Sequence, residues 1–142
     1  MDIVLKGNAV LETRCEEVFR DFSGEELKEL EAAMRNNKGV GLAANQVGLR
    51  ERFFVATMGG KFGLFVNPVI VSHGKEEIEQ PEGCLSILGP DGKPIYKPKK
   101  RWAVITVRYW DKNKDLIEET LKRFDARIFQ HEMDHLNGRL CQ

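Results

Sequence analysis

Residues Leu121 to Gly138 read Leu-Lys-Arg-Phe-Asp-Ala-Arg-Ile-Phe-Gln-His-Glu-Met-Asp-His-Leu-Asn-Gly, and this stretch decides the fold. Leu121, Phe124, Ile128, His131 and His135 recur at spacings of 3, 4, 3 and 4. That spacing predicts a helix with both histidines on its apolar stripe, so the imidazoles face inward. Gly138 is placed to close the helix in the left-handed conformation. Within the helix, His131-Glu132-Met133-Asp134-His135 is an H-E-x-x-H pattern. Two imidazoles four residues apart stand one above the other and can converge on one metal ion, with Glu132 near enough to take a proton from water held there. The pattern alone fits ordinary helix-surface residues equally well. Its place on the apolar stripe favours a metal, because buried neutral imidazoles need partners.

Working outward, the chain upstream changes character twice. Ser23 with Glu26 three residues on forms a capping box, followed by Leu27, Leu30 and Met34 at helical spacing, which predicts a helix from Ser23 to about Asn36. From Arg52 onward the chain turns to short β-rich runs: Phe53 to Ala56, Phe62 to Val66 after the Gly59-Gly60-Lys61 turn, and Val69 to Val71 beyond Pro68. Further runs lie at Glu76 to Glu79, Ala103 to Trp110, and Leu116 to Thr120 after the Asp111 to Lys114 turn. Gly89 to Lys100, rich in Gly, Pro and Lys, reads as a loop or a bulged edge. No repeat or linker interrupts the sequence, so residues 1–142 are read as one domain.

Composition narrows the function classes. At 142 residues, with 42% apolar and 31% charged side chains, the chain has the profile of one globular domain. Twenty-two Lys and Arg balance 22 Asp and Glu, so no overall field draws in nucleic acid or an anionic membrane. The longest apolar run, Gly39 to Ala44, falls far short of the roughly 20 residues needed to cross a bilayer. The N-terminus carries neither a secretory nor a transit signal, which makes the cytoplasm the expected compartment. Cys15, Cys84 and Cys141 include no C-x-x-C pair, against a disulfide framework. His73 sits in a turn-like segment and reads as a solvated loop residue.

A catalytic metal site wants a third protein ligand and an open position. A lone Cys84 flanked by turn formers in Gln80-Pro81-Glu82-Gly83-Cys84-Leu85-Ser86 is a candidate, although a lone cysteine is commonly an inert small residue. Gly39-Val40-Gly41-Leu42-Ala43-Ala44-Asn45-Gln46 lacks the strand-before-helix context of a phosphate loop and reads as a tight turn permitting close backbone approach. Together the three segments are far more specific than any one. G-x-G-L-A-A-x-Q (Gly39 to Gln46), E-G-C-L-S (Glu82 to Ser86) and Q-H-E-x-D-H-L-x-G (Gln130 to Gly138) resemble the three motifs of the peptide deformylase family, in the same order and at similar separations. The segment from Ile3 to Val18 also resembles that family's opening.

The resemblance implies an α+β fold, with antiparallel strands packed around the C-terminal H-E-x-x-H helix and the Ser23 to Asn36 helix outside. It implies a metal-dependent hydrolase that removes the formyl group from the N-terminal formylmethionine of nascent polypeptides, releasing formate. Cys84, His131 and His135 would hold one divalent ion. The family's usual ion in the cell is iron(II), and zinc or nickel can take its place in purified protein. Such an ion lowers the pKa of water from about 15.7 toward about 7. Glu132 would take the proton and pass it to the departing amine, while the Gln46 side-chain amide and the Leu85 backbone N–H face the oxyanion. Gly41 would let the substrate backbone approach, and Val40, Phe124 and Ile128 match the pocket for the methionine side chain. Asp125 and Arg127 depart from that pocket's apolar pattern, and the stem of Arg127 is expected along the pocket with its charge outside. Arg101 matches a basic residue near the peptide-binding strand.

The chain stops at Leu140-Cys141-Gln142, where many bacterial members continue into a segment that contacts the ribosome. Recruitment through such a tail is therefore not expected. The partner is the formylated nascent peptide, with no nucleic acid binding of its own and no membrane, and the protein is expected to be a monomer. Compact members of this kind include phage-borne ones, acting in a host's cytoplasm. Two competing readings are a metallopeptidase, since H-E-x-x-H also supports amide hydrolysis, and an idle metal-binding module. Cys84 and Gln46 speak against the first, and three ligands with an intact Glu132 against the second.

Overall fold

The structure, a computed structural model, describes residues 1–140; Cys141 and Gln142, part of the expected short end, lie outside the described residues. Helix α1 spans Gly24–Asn36. Ser23 caps it, its hydroxyl accepting from the Glu26 N–H at 3.0 Å, while the Glu26 carboxylate turns outward to Arg20. Strands β1 (Gly41–Ala43), β2 (Phe53–Met58), β3 (Lys61–His73), β6 (Val104–Trp110) and β7 (Leu116–Lys122) form a five-stranded sheet in the order β1-β2-β3-β6-β7, every neighbour antiparallel. Strands β4 (Glu77–Glu82) and β5 (Lys97–Trp102) pair only with each other as a separate ribbon. Helix α2 covers Arg123–Leu136. The fold is thus α+β, as expected, with the helix bearing both histidines packed on the sheet.

Three local expectations change. The runs Phe62 to Val66 and Val69 to Val71 are one strand, β3, because the register shifts between Val66 and Val69 and Pro68 falls inside that bulge. Asn67 makes the bulge possible. It adopts φ +49, which its short side chain tolerates, and its amide grips the Val18 N–H and C=O at 2.8 and 2.9 Å. His73 ends this strand and stacks on Trp102, ring centroids 3.6 Å apart, instead of sitting in a turn. The expected Gly89 to Lys100 loop gives up Lys97 onward to β5, where Pro98 faces Pro81. In the ribbon, main-chain pairing replaces the apolar alternation that marks an ordinary strand. The β2–β3 connection behaves as read: Gly59 and Gly60 have φ of 58° and 78°, the two positive values a type I′ hairpin requires.

Strand β2 is buried on both faces, and this places the site. Phe54 and Ala56 join Phe65, Ile105, Ile128, Phe129 and Met133 beneath α2, whereas Phe53 and Val55 join Leu30, Met34, Leu42 and Leu64 beneath α1. Phe54 stacks on Phe65 at 4.7 Å and meets the edge of Phe129 at 5.2 Å. Each such ring contributes about 1.5–3 kcal/mol by burial. Ala126, Phe129, Met133 and Leu136 face this core with the expected Leu121 and Ile128, so the buried face of α2 is wider than the expected stripe and centred away from Phe124. Phe124 is consequently exposed, in the helix's first turn and off the sheet. Gly138 takes φ +75, its N–H bonding His135 O at 2.9 Å and that of Arg139 bonding Asp134 O at 2.8 Å, a Schellman closure. Among the described residues no helix is long and apolar enough to cross a membrane.

Candidate metal centre

The three motif segments converge. Strand β4 ends at Glu82 and hands over through Gly83 to Cys84, opposite the inner stripe of α2. One ligand atom each from Cys84, His131 and His135 lies within 4.8 Å of the other two, and Cys84 Sγ is 3.3 Å from His135 Nε2. Ligand atoms around a four-coordinate transition metal stand about 3.3–3.7 Å apart, so one ion can serve all three. A thiol with two imidazoles is a donor set suited to such ions. Burial, helped by the charges of His131 and Arg101, pushes His135 down to about 3, keeping it in the neutral form that ligates. The residues present therefore fit a divalent metal, with three protein ligands and one position left open.

Glu132 lies fully inside this centre. Its Oε1 is buried without a hydrogen-bond partner among the described residues. Burial, with smaller contributions from Glu82 and Asp134, pushes its carboxyl up to about 7 against the opposing charges of His131 and Arg101. Room for the carboxylate comes from Gly41: a Cβ there would stand 2.5 Å from Glu132 Oε2. The missing side chain at Gly41 is thus what lets the Glu132 carboxylate take its place.

Glu82 is the functional residue the sequence reading passed over, although it stands in the E-G-C-L-S motif. Its Oε1 faces His131 Nδ1 at 3.0 Å and accepts from Arg101 at 2.9 Å, while Oε2 accepts from Arg101 Nε at 3.0 Å and from Arg127. Burial opposes its charge, but the hydrogen bonds and charges of His131 and Arg101 outweigh it and hold the carboxyl at about 2. A carboxylate on Nδ1 fixes the proton there and leaves Nε2 of His131 for a metal. One expectation is corrected here. Arg127 does not keep its charge outside: it is buried, bonding Glu82, Ile78 O and, at 3.0 Å, Lys99 O. Arg101 is likewise buried, committed to Glu82 and to Asp134 at 2.7 Å.

The remaining residues surround the thiol. Gln46 is buried, its Oε1 accepting the Ala43 N–H at 3.0 Å, which turns Nε2 toward Cys84 Sγ at 3.6 Å and Ser86 Oγ at 3.3 Å. The Ser86 N–H also donates to Cys84 Sγ, at 3.4 Å. Leu85 is half-buried between these residues in sequence, and Asn45 ties the first motif to α2 through the His135 carbonyl at 2.6 Å. Gln130 binds the Trp102 main chain on both sides, at 2.9 and 2.8 Å. Of the residues matched to the side-chain pocket, Val40 is exposed at the start of β1 and Ile128 is buried under α2.

An α+β fold that sets a thiol against an H-E-x-x-H helix, with one carboxylate oxygen of Glu132 buried and without a partner among the described residues, is the arrangement of a metal-dependent hydrolase. The sequence profile of the Polypeptide deformylase family matches residues 1–142. The peptide deformylase of Thermotoga petrophila is 39% identical over 134 residues, 93% of this chain and 79% of that one. The crystal structure of the Thermotoga maritima enzyme superposes with a TM-score of 0.86 at 38% identity, covering 97% of this chain and 92% of that one. That of the deformylase from the Vibrio parahaemolyticus bacteriophage VP16T, in complex with actinonin, gives 0.86 at 34% identity, covering 99% of this chain and 100% of that one. The chain belongs to the polypeptide deformylase family. Its activity is hydrolytic removal of the formyl group from the N-terminus of nascent polypeptides.

Proposed function

We propose that residues 1–142 act as one catalytic unit in which Cys84, His131 and His135 hold iron(II), the ion that a thiolate and two imidazoles accept beside zinc and nickel. When bound, the ion supplies Lewis acidity toward water and the formyl oxygen. Glu132 takes the proton of the attacking water and delivers it to the departing amine nitrogen, general acid–base work worth about 10²–10⁴-fold. Gln46 Nε2 and the Leu85 N–H receive the oxyanion. Val40, Gly41, Phe124 and Ile128 line the approach of the formylmethionine residue, with Arg101 at its edge. The observation that carries this reading is the Glu132 carboxylate, buried with Oε1 unpartnered beside three metal-ligating atoms.

The enzyme acts as a monomer in a bacterial or phage-infected cytoplasm, on formylated chains leaving the ribosome; its relatives are bacterial and phage deformylases. An Acinetobacter baumannii deformylase, 29% identical with a TM-score of 0.87, over 99% of this chain and 94% of that one, was solved with Met-Ala-Ser bound. That ligand has the form of a deformylated product. Protein loaded anaerobically with iron(II) is expected to release formate from formyl-Met-Ala-Ser and to leave Met-Ala-Ser uncut. Cleavage of the unformylated peptide would favour a metallopeptidase, and no formate at full metal occupancy would favour an idle metal module.

A further inference from the structure

We infer that Arg127 is a positioning residue for the metal centre, clamping the β4–β5 ribbon to α2 so that Cys84 is presented to His131 and His135. The inference rests on the three-ligand reading above. Arg127, His131 and His135 stand at i, i+4 and i+8, one above the other on a single stripe of α2. Each meets a successive point of one chain segment. Arg127 donates to Ile78 O and Glu82 Oε2, His131 faces Glu82 Oε1 at 3.0 Å, and His135 Nε2 lies 3.3 Å from Cys84 Sγ.

The clamp also reaches the second strand. Arg127 donates to Lys99 O on β5 at 3.0 Å, so one planar guanidinium joins α2 to both strands of the ribbon and to Glu82. This matters because β4 and β5 pair only with each other, with no ladder to the five-stranded sheet. Gln130 anchors the ribbon at Trp102, which pairs with Glu77, whereas Arg127 grips Ile78 beside that end, Lys99 in the middle of β5, and the carboxylate two residues before Cys84. A fork with fixed donor directions can span a carbonyl on each strand and a carboxylate at once; a lysine ammonium, a single point, cannot. Loss of the fork lets the thiol-bearing segment drift from the imidazoles while the histidine helix stays in place.

The test uses metal affinity and a spectroscopic readout. Wild type, Arg127→Lys, Arg127→Met and Arg20→Lys are each stripped, refilled with cobalt(II) and titrated against a chelator. Arg20 pairs with Glu26 and Glu51, none of which touches the ribbon or the three ligand residues in the contacts above, and serves as the control for loss of a forked arginine. Both Arg127 variants are expected to bind cobalt about 10–100-fold more weakly, the range seen when an outer-shell partner of a metal ligand is lost. Their thiolate-to-cobalt absorption is expected to weaken, with Arg20→Lys unchanged. Unchanged affinity and absorption in Arg127→Lys, or equal weakening in Arg20→Lys, would overturn the clamp. Absence of a thiolate band in wild type would instead overturn the three-ligand reading. A third measurement needs no variant: amide exchange of residues 78 to 84 in stripped wild type is expected to stay slow, and free exchange there would also refute a preformed clamp.

Discussion

Gly41 and Glu132 divide one volume between them: a methyl group on the Gly41 Cα would lie 2.5 Å from Glu132 Oε2 and 3.1 Å from its Cδ. The strand that lines the site and the buried carboxylate proposed as its base are therefore coupled by the absence of a side chain. The two residues lie 91 positions apart, and neither spacing nor periodicity announces the contact.

Gly41→Ala follows directly. The added carbon forces the carboxylate off its place, so kcat is expected to fall by about 10²-fold or more, the share general acid–base catalysis commonly holds. Overpacking should cost about 1–3 kcal/mol of stability. Turnover, bound metal and thermal midpoint measured together check this. Wild-type turnover in a well-folded, metal-loaded variant would mean that the Glu132 position is not critical.

Gln46→Glu separates orientation from donation. A carboxylate oxygen can still accept the Ala43 N–H, so the fold is expected to persist, but the Nε2 donor is lost and a negative charge faces the thiol. Loss of one oxyanion donor typically costs about 10²–10³ in kcat. Steady-state rates on a formyl-Met peptide, with circular dichroism as the folding control, give the answer. A kcat within a few-fold of wild type would remove Gln46 from the oxyanion site.

Cys15 predicts an alkaline weakness of the fold. Burial pushes its thiol up from 9.0 to about 11, against the charge of Arg52. A folded-state value above the unfolded one means the native state favours the protonated thiol, so this contribution is complete below pH 9 and fades as the pH rises toward 11. The two-unit difference is worth about 2–3 kcal/mol. Denaturant unfolding from pH 8 to 11 should show wild type losing that much more stability than Cys15→Ala. Parallel curves would show that the Cys15 thiol titrates in the native protein as it does in the unfolded chain.

Gly138→Ala tests the closure of α2. The position needs φ +75, and a Cβ would meet Glu12 O at 2.8 Å. A non-glycine residue held there costs about 1–3 kcal/mol. The thermal midpoint is expected to drop, whereas KM for a formylated peptide should hold, since the helix end lies beyond both histidines. An undiminished midpoint would contradict the steric account.

Much of this architecture was legible in the residues themselves. His131 and His135 four apart on a helix require convergence, Ser23 announces α1, and Gly59-Gly60 imposes the hairpin on β2 and β3. The proposed ligand trio and base needed three short motifs in order, because Cys84 alone looks like any small buried residue. Phe124 escaped because helical spacing gives a stripe but not its rotation against the sheet, which Ala126, Phe129 and Met133 decide through packing. Arg127 and Glu82 escaped for another reason. A buried charge is expected only where its counter-charges are known, and those lie 19 to 49 residues away, on β4, β5 and α2. Strand β5, a Lys-Pro run, carries no alternation and exists through its partner.

The central claim, that Glu132 moves the proton at a metal held by Cys84, His131 and His135, is tested most directly by Glu132→Gln. Wild type and variant, loaded anaerobically with iron(II) or nickel, are compared for formate release from a formyl-Met peptide and for bound metal. The expected result is full metal occupancy with turnover reduced by about 10²-fold or more. Formate release near the wild-type rate at equal occupancy would contradict it.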